Sequence, residues 1–389
     1  MGNQGFILAV QGEGRGHLMQ ALTVYQLLTD AGHEVCCIVV GMPLDRSLPA
    51  FFCRRVISPV VCLPSPGFAK RKGRSISLWR TLLRTLWRLP EYISSIRRFH
   101  RLVSFHQPEV IVNFYEPLAG LYRILYRHSA RSVSIAHQYV YLHEGFEVPG
   151  AGAWQRLMLS AFTRLTAAGS ERLLALSIPE MQPSRDPRLR VVPPILRRDL
   201  LSILPADEGF LLVYLVNAGY MPDIVRWHEA KPNVKIHCFT DASEVRDVHK
   251  GLYRLDANLS FHSIDDRLFL EMLATCSAVA TSAGFETVCE ALLLGKPILM
   301  VPVEGHQEQL SNALDMLRQG LAVWSHHYDL DRVAGQDKPS TQFREGFRRR
   351  VREMHRILLT EITGGSANVE GKVVEMTVRL VPEAMSGNA

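Results

Sequence analysis

The chain reads as an α/β protein made of two successive domains, each built on its own parallel sheet. Three observations predict this. Short β-branched runs alternate with helical stretches in the first half, a proline-rich break follows at Val192–Pro205, and the alternation then restarts. Strand–helix alternation implies parallel strands joined by right-handed crossovers. A length of 389 residues also exceeds what one hydrophobic core organises.

The individual elements follow in order. Phe6–Val10 is a strand, Leu18–Asp30 has helical apolar spacing at Leu18, Ala21, Leu22, Tyr25 and Leu28, Gly32 stops that helix, and Glu34–Val40 is the next strand. Val110–Asn113 and Ser132–His137 repeat the strand signature. Beyond the break, Phe210–Val216, Lys235–Thr240, Leu259–Ser263, Ala278–Thr281 and Pro297–Val301 are strands, and Phe285–Leu294 is the clearest helix. Phe343, Phe347, Val351, Met354 and Leu358 mark one face of a last amphipathic helix. The expected division is 1–195, a linker at 196–208, 209–340, and a helix and tail at 341–389 that return toward the domain junction.

Composition narrows the function classes. A hydrophobic share of 47% with 21% charged residues is that of a globular protein, and no run reaches the ~18 apolar residues of a membrane span. The chain begins on a strand and shows no leader pattern, so a cytoplasmic location is expected. The 7 Cys (36, 37, 53, 62, 238, 276 and 289) form no C-x-x-C pair and read as buried reduced thiols. A net charge of +6 suits a phosphate-bearing ligand or an anionic surface and is too small to argue nucleic acid.

Two glycine-rich turns carry the chemistry. The first, Gln11-Gly12-Glu13-Gly14-Arg15-Gly16-His17, joins the first strand to the first helix. Gly14 and Gly16 let the backbone approach a ligand, and a helix N-terminus favours anions. A dinucleotide fingerprint would need Gly where His17 stands and an acid after the second strand, which ends Val39-Val40-Gly41. A His at this edge of a sheet has the intrinsic pKa of a general base; it could equally cap or pack the helix.

The second turn runs Thr281-Ser282-Ala283-Gly284-Phe285-Glu286-Thr287 into a helix carrying Glu290, and continues past Gly295-Lys296-Pro297 to Glu304-Gly305-His306-Gln307-Glu308-Gln309. The turn amides can hold a diphosphate. Glu290 lies one and a half turns in, where it can accept hydrogen bonds from a ribose diol, and Glu308 and Gln309 can read sugar hydroxyls. Asn217, just past the strand Phe210–Val216, joins this candidate donor set. Ordinary α/β packing would also use turn glycines and a solvated Glu290, but not this whole order of features.

With these residues the chain resembles the GT-B glycosyltransferases, two Rossmann-like domains facing across a cleft. It is similar to the bacterial and archaeal family with G-x-G-x-G-H near the start, and to the lipid II N-acetylglucosaminyltransferase. Asn113-Phe114-Tyr115-Glu116-Pro117 resembles that family's D-F-E-P element, His137-Gln138 its His-Gln pair, and Pro193-Pro194 its Pro-Pro. The likeness spans most of residues 5–323. It implies that Gly284 and Thr287, with Ser282, Phe285 and Glu286 beside them, sit at the diphosphate. Glu290 falls at the ribose, Glu308 and Gln309 at the donor sugar, and His17 at the reacting hydroxyl or a phosphate. His137 falls on the acceptor side. Asn113 stands where the family has an acid, which leaves Glu116 to orient or replace His17.

Retaining members of the fold carry Glu pairs eight positions apart across this helix start. Here the positions paired with Glu290 and Glu286 are Ser282 and Leu294, so an inverting displacement is expected. No D-x-D signature appears, so no metal and no cofactor are expected. The nucleoside-diphosphate sugar, with a UDP-sugar favoured, is a co-substrate.

The acceptor side has one unusual stretch. Lys70 to Arg101 holds 10 basic residues and one acid, Glu91. In Ile76–Leu89, Trp79, Leu82, Leu83 and Leu86 follow helical spacing with Trp87 beside them, while Arg80, Arg84 and Arg88 recur every fourth residue, and Pro90 is expected to break the helix. Such a face lies on anionic lipid, and equally serves as the solvated side of an internal helix. The expected partners are thus a nucleotide-sugar donor, a hydroxyl acceptor linked to lipid, and an anionic membrane surface. A soluble small-molecule acceptor, a sugar-nucleotide epimerase and a non-catalytic sugar-nucleotide-binding protein remain open.

Overall fold

The computed structural model describes residues 4–43, 47–66, 87–216, 218–240 and 252–365. Within them lie two sheets of seven strands each. The first contains β1 (Gly5–Gln11), β2 (Glu34–Met42), β3 (Val60–Pro64), β4 (Val110–Phe114), β5 (Arg131–Ala136), β6 (Arg172–Leu176) and β7 (Leu189–Val192). Its order is β3-β2-β1-β4-β5-β6-β7, parallel throughout. Strands in such a sheet are buried on both faces, and β1 shows why its sequence is continuously apolar. Phe6, Leu8 and Val10 pack on one side with α1 (Arg15–Asp30). Ile7 and Ala9 pack on the other with α3 (Leu89–His106) and α4 (Pro117–Leu125), α2 (Ala50–Arg55) lying between in sequence. Helix α5 (Ala153–Thr166) follows β5.

The second sheet contains β8 (Leu211–Tyr214), β9 (Ile236–Thr240), β10 (Leu252–Arg254), β11 (Leu259–Ser263), β12 (Ala278–Thr281), β13 (Ile298–Met300) and β14 (Val323–Trp324), in the order β10-β11-β9-β8-β12-β13-β14. All its pairings are parallel except β10 with β11. Its helices are α6 (Met221–Ala230), α7 (Asp266–Thr275), α8 (Phe285–Leu293), α9 (Gln307–Arg318) and the short α10 (Asp331–Ala334). Strand order reverses beside β1 in the first sheet and beside β8 in the second. The turns after β1 and β4, and those after β8 and β12, therefore open at the switch points where α/β sheets bind ligands.

The last helix, α11 (Thr341–Thr363), has a divided face. Phe347 and Val351 enter the core of the second domain, while Met354, Leu358, Leu359 and Ile362 enter that of the first. The segment between the sheets is packed as well. Ile195 belongs to the first core and Leu196 and Leu200 to the second, so the prolines set the path of a chain that is pinned on both sides.

Pro90 occupies the first turn of α3, where no backbone N–H is needed, and residues 67–86 before it lie outside the described residues. Arg97, Arg98 and Arg101 then ride on α3, whose Ile96, Phe99 and Val103 are buried. The cysteines are not uniformly buried: Cys53 and Cys62 are exposed and Cys36 is half-buried. They sit on a short helix and on the edge strand β3, positions that have only one covered side.

Candidate active site in the cleft

The first turn places His17 in the opening turn of α1. Gly14 caps this helix in extended geometry with no side-chain bond, so the first amides face the cleft. His17 is half-buried between two glutamines. Its Nδ1 lies 3.4 Å from Gln20 Oε1 and its Nε2 lies 3.5 Å from Gln138 Nε2. Burial lowers its pKa below the ordinary imidazole value, against the opposing pull of the Glu308 carboxylate. The ring stacks on Tyr115, with centroids 5.8 Å apart. Tyr115 has φ +59°, a left-handed conformation that costs a bulky residue about 1–3 kcal/mol. Its hydroxyl, 2.8 Å from Thr163 Oγ1, and edge contacts with Tyr139 and Phe162 hold it there.

Glu116 is not where the sequence reading puts it. It has no exposed surface and caps α4: its Oε1 accepts from the Ser65 hydroxyl at 2.6 Å and the Leu118 amide at 3.0 Å. A Cβ at Gly41 would overlap this carboxylate, so glycine at the end of β2 lets it lie against the sheet. Burial raises the Glu116 pKa to about 7, and its Oε2 has no hydrogen-bond partner. Asn113 is structural in the same way, donating to the Thr166 carbonyl and accepting from the Glu116 amide, both at 2.8 Å. The carboxylate electrostatically paired with His17 is Glu308, and Gln138 connects the two by donating to Glu308 Oε1 at 2.8 Å.

The second turn faces the first across the cleft. Gly284 caps α8 in extended geometry, and the Ser282 hydroxyl beside it is buried without a partner. Phe285 stacks on His137 of the opposite domain, centroids 3.9 Å apart. Glu286 accepts a hydrogen bond from Gln20, and burial raises its pKa to about 8. Gly16 makes this approach possible, because a Cβ there would stand 3.0 Å from Glu286 Cγ. Thr287 lies in the first turn of α8, half-buried. Glu290 is buried in an ion pair with Arg197 from the interdomain segment, Nε to Oε1 2.7 Å. Gln309, in the first turn of α9, is buried and accepts from the Val303 amide at 2.9 Å through Oε1. Asn217 lies outside the described residues.

Further polar contacts join the two sides. Arg15 pairs with Asp266 at 3.2 Å, and Ser311 donates to the Pro149 carbonyl at 3.0 Å. His137 is held at both nitrogens, 2.7 Å from the Leu176 carbonyl and 3.1 Å from Asn312 Oδ1. Sequence reasoning missed Gln20, Tyr115, Gln138, Arg197 and Asn312 as site residues. Gln20 had a signal: a polar residue one turn from His17 amid the apolar positions of α1.

Of the basic stretch, Trp79, Arg80, Leu83 and Arg84 lie outside the described residues. Trp87 is 84% exposed, and Arg88 is 4.0 Å from Glu91. No described helix is long and apolar enough to cross a membrane. Among the described residues no cluster of His, Cys, Asp and Glu could hold a metal ion.

Comparison with known proteins gives this geometry a family. No curated protein sequence matches the chain. Among solved structures it is similar to the glycosyltransferase of kitacinnamycin, with TM-score 0.60 and 15% identity over 93% of this chain and 100% of that one. It is also similar to CalG4, the calicheamicin glycosyltransferase, with TM-score 0.54 and 18% identity over 98% of this chain and 100% of that one. A third is UGT2 of Phytolacca americana, solved with UDP-2fluoro-glucose and pterostilbene, with TM-score 0.54 and 11% identity over 97% of this chain and 99% of that one. At these identities the likeness establishes a shared GT-B fold. The model of glycosyl transferase family 1 matches residues 5–336, and the chain belongs to that family of glycosyltransferases.

Proposed function

We propose that the protein is an inverting, metal-independent glycosyltransferase that moves a sugar from a UDP-sugar to a hydroxyl of a membrane lipid. The observation that carries this reading is the placement of His17 opposite the N-terminus of α8, with Gln20 touching Glu286 between them. His17 Nε2 takes the proton of the acceptor hydroxyl. The acceptor oxygen bonds to the anomeric carbon from the face opposite the diphosphate, and the bond to the diphosphate oxygen breaks with its electron pair. The new charge on the leaving group meets the α8 amides and the Ser282 hydroxyl, preorganised donors of the kind that stabilise developing anions. A ribose diol at Glu290 shares that carboxylate with Arg197, and Glu308 and Gln309 face the sugar.

The lipid acceptor rests on the surface of the first domain. Trp87, Leu89 and Ile93 are exposed at the start of α3 beside Arg88, and Trp154, Leu157 and Met158 are exposed on α5. A soluble acceptor gives no reason for these side chains, whereas an interfacial protein does. A small aromatic acceptor is the second reading, favoured by the pterostilbene in the UGT2 structure.

One experiment separates the readings. The protein is incubated with radiolabelled UDP-sugars, with and without bacterial lipid extract, and products are partitioned between solvent phases. Label in the organic phase only when lipid is present, with inverted anomeric configuration, supports the proposal. Label on an added soluble phenol with none on lipid moves the acceptor to the second reading. Retention of configuration overturns the mechanism.

A further inference from the structure

The His17 ring is flanked by two neutral amides, and each amide touches a carboxylate of the opposite domain. On one side, Gln20 donates through Nε2 to Glu286 and presents Oε1 to His17 Nδ1 at 3.4 Å. On the other, Gln138 donates through Nε2 to Glu308 at 2.8 Å and lies 3.5 Å from His17 Nε2 through the same nitrogen. An ionised carboxylate can only accept, so each contact fixes which end of its amide faces the ring. Gln20 must turn its oxygen to Nδ1, and Gln138 must turn its NH₂ to Nε2. An oxygen at Nδ1 requires a proton there, and an NH₂ at Nε2 requires a lone pair. Both constraints select the same tautomer.

We infer that Gln20 and Gln138 are positioning residues that hold His17 as the Nδ1–H tautomer, and that Glu286 and Glu308 of the donor domain enforce this across the closed cleft. The inference rests on the reading of His17 as base and adds to it. The neutral Nε2 needed for proton abstraction is set by the other domain, and an acceptor hydroxyl reaching Nε2 replaces the long 3.5 Å Gln138 contact at its lone pair. The arrangement also explains why residue 20 is an amide. A carboxylate at that position would face Glu286 directly, whereas glutamine passes the polarity of Glu286 on without a second buried charge. A Cβ at Gly16 would press on Glu286, so that glycine serves the same contact.

The groups around each link set the pH behaviour. His17 is faced by Glu308, His137, Gln20, Gln138 and Tyr115, and burial keeps the ring neutral by lowering its pKa. Glu286 is faced by Gln20, Glu290 and Arg197, and burial raises its pKa to about 8. Protonating Glu286 lets its hydroxyl donate to Gln20 Oε1. The amide then turns its NH₂ toward Nδ1 and the tautomer reverses. Activity should therefore rise with pH as Glu286 ionises.

The test reads the tautomer directly, by ¹⁵N NMR of the full chain labelled at histidine nitrogens, with His17→Asn identifying the His17 signals. Above pH 8, where Glu286 is ionised, wild type should show Nδ1 protonated and Nε2 bare, and Gln20→Met should shift His17 toward the Nε2–H form. Kinetics supply the second readout. Gln20→Met should lower kcat about 10–100-fold, the scale of losing an orienting partner, with donor KM within about threefold. Gln20→Glu, which still offers an oxygen to Nδ1, should retain more activity than Gln20→Met and move the pH profile. A buried residue that merely fills space would rank the two the other way, because methionine is the better apolar isostere. If Gln20→Met fails to fold, Gln138→Met gives the same spectroscopic test from the other side. An Nε2–H tautomer in wild type above pH 8, or a pattern unchanged in the variants, overturns the inference. The predicted tautomer together with an undiminished kcat for His17→Ala leaves the inference standing and removes His17 from the reaction.

Discussion

The two domains share a seven-stranded plan, parallel throughout in the first and closed by the antiparallel edge strand β10 in the second, and they differ most in what their helix starts present to the cleft. Each is a seven-stranded sheet with a glycine-rich turn opening a helix at its switch point. In the first domain the helix opens on Gly14 and carries His17, a titratable ring set between amides and aromatics. In the second it opens on Gly284, beside the unpartnered Ser282 hydroxyl and the carboxylates Glu286 and Glu290. The first half-site offers a titratable ring, with Arg15 beside it tied to Asp266 of the second domain. The second offers an open helix start, a buried hydroxyl and two carboxylates, of which Glu290 is buried. In the proposed reaction one fold thus supplies the base on one side and the leaving-group site on the other.

Removing the part that is unique to the first domain should have the largest effect. His17→Ala should lower kcat on the order of 10²–10⁴-fold, measured as initial rates of transfer at saturating donor. A kcat equal to wild type would erase the division between the half-sites.

The ion pair beneath the second half-site comes next. Arg197→Ala leaves Glu290 buried and unpaired, and breaking such a pair typically costs about 3–5 kcal/mol. Urea unfolding should show the loss, with the C-terminal domain unfolding first. A stability within 1 kcal/mol of wild type would mean that solvent reaches Glu290 freely.

The buried carboxylate of the first domain predicts a smaller, pH-dependent effect. Glu116 has a folded-state pKa raised to about 7 from an ordinary 4.5, so the native state holds a proton that the unfolded chain releases. Its contribution is complete below the unfolded value and is lost as pH rises through the folded one, amounting to at most about 3 kcal/mol between pH 5 and pH 8. Glu286 adds a loss of the same sign at the cleft. Glu116→Gln should flatten part of this decline in Tm while leaving kcat close to wild type, since the carboxylate caps α4. A large fall in kcat with unchanged Tm would restore Glu116 to the reaction.

The fold was legible because its signals are local. The β-branched run at residues 6–10, the stop at Gly32 and the spacing of residues 343–358 each follow from one stretch of chain. Strands such as β6 and β7, with shorter or charge-interrupted apolar runs, gave weaker patterns and went unread. At the site, the turns announced themselves through glycine and a helix start. Partnerships did not, because they join residues far apart in sequence. Arg197 and Glu290 are 93 positions apart, and Gln138 and Glu308 are 170 apart. Glu116 was misread for the complementary reason. An acid before a proline at a strand end suits a cleft and a helix cap equally well, and only the Gly41 backbone lying against it selects the cap.

The division of labour has a direct measurement: calorimetric binding of UDP-sugar to His17→Ala and Glu290→Ala beside wild type, with transfer assayed on the same samples. A crossed result is expected. His17→Ala binds donor as wild type does and fails to transfer. Glu290→Ala binds donor more weakly by roughly 1–3 kcal/mol, and recovers much of its rate when donor is raised to saturation. Equal losses of donor affinity in both variants, or full affinity in Glu290→Ala, would contradict it.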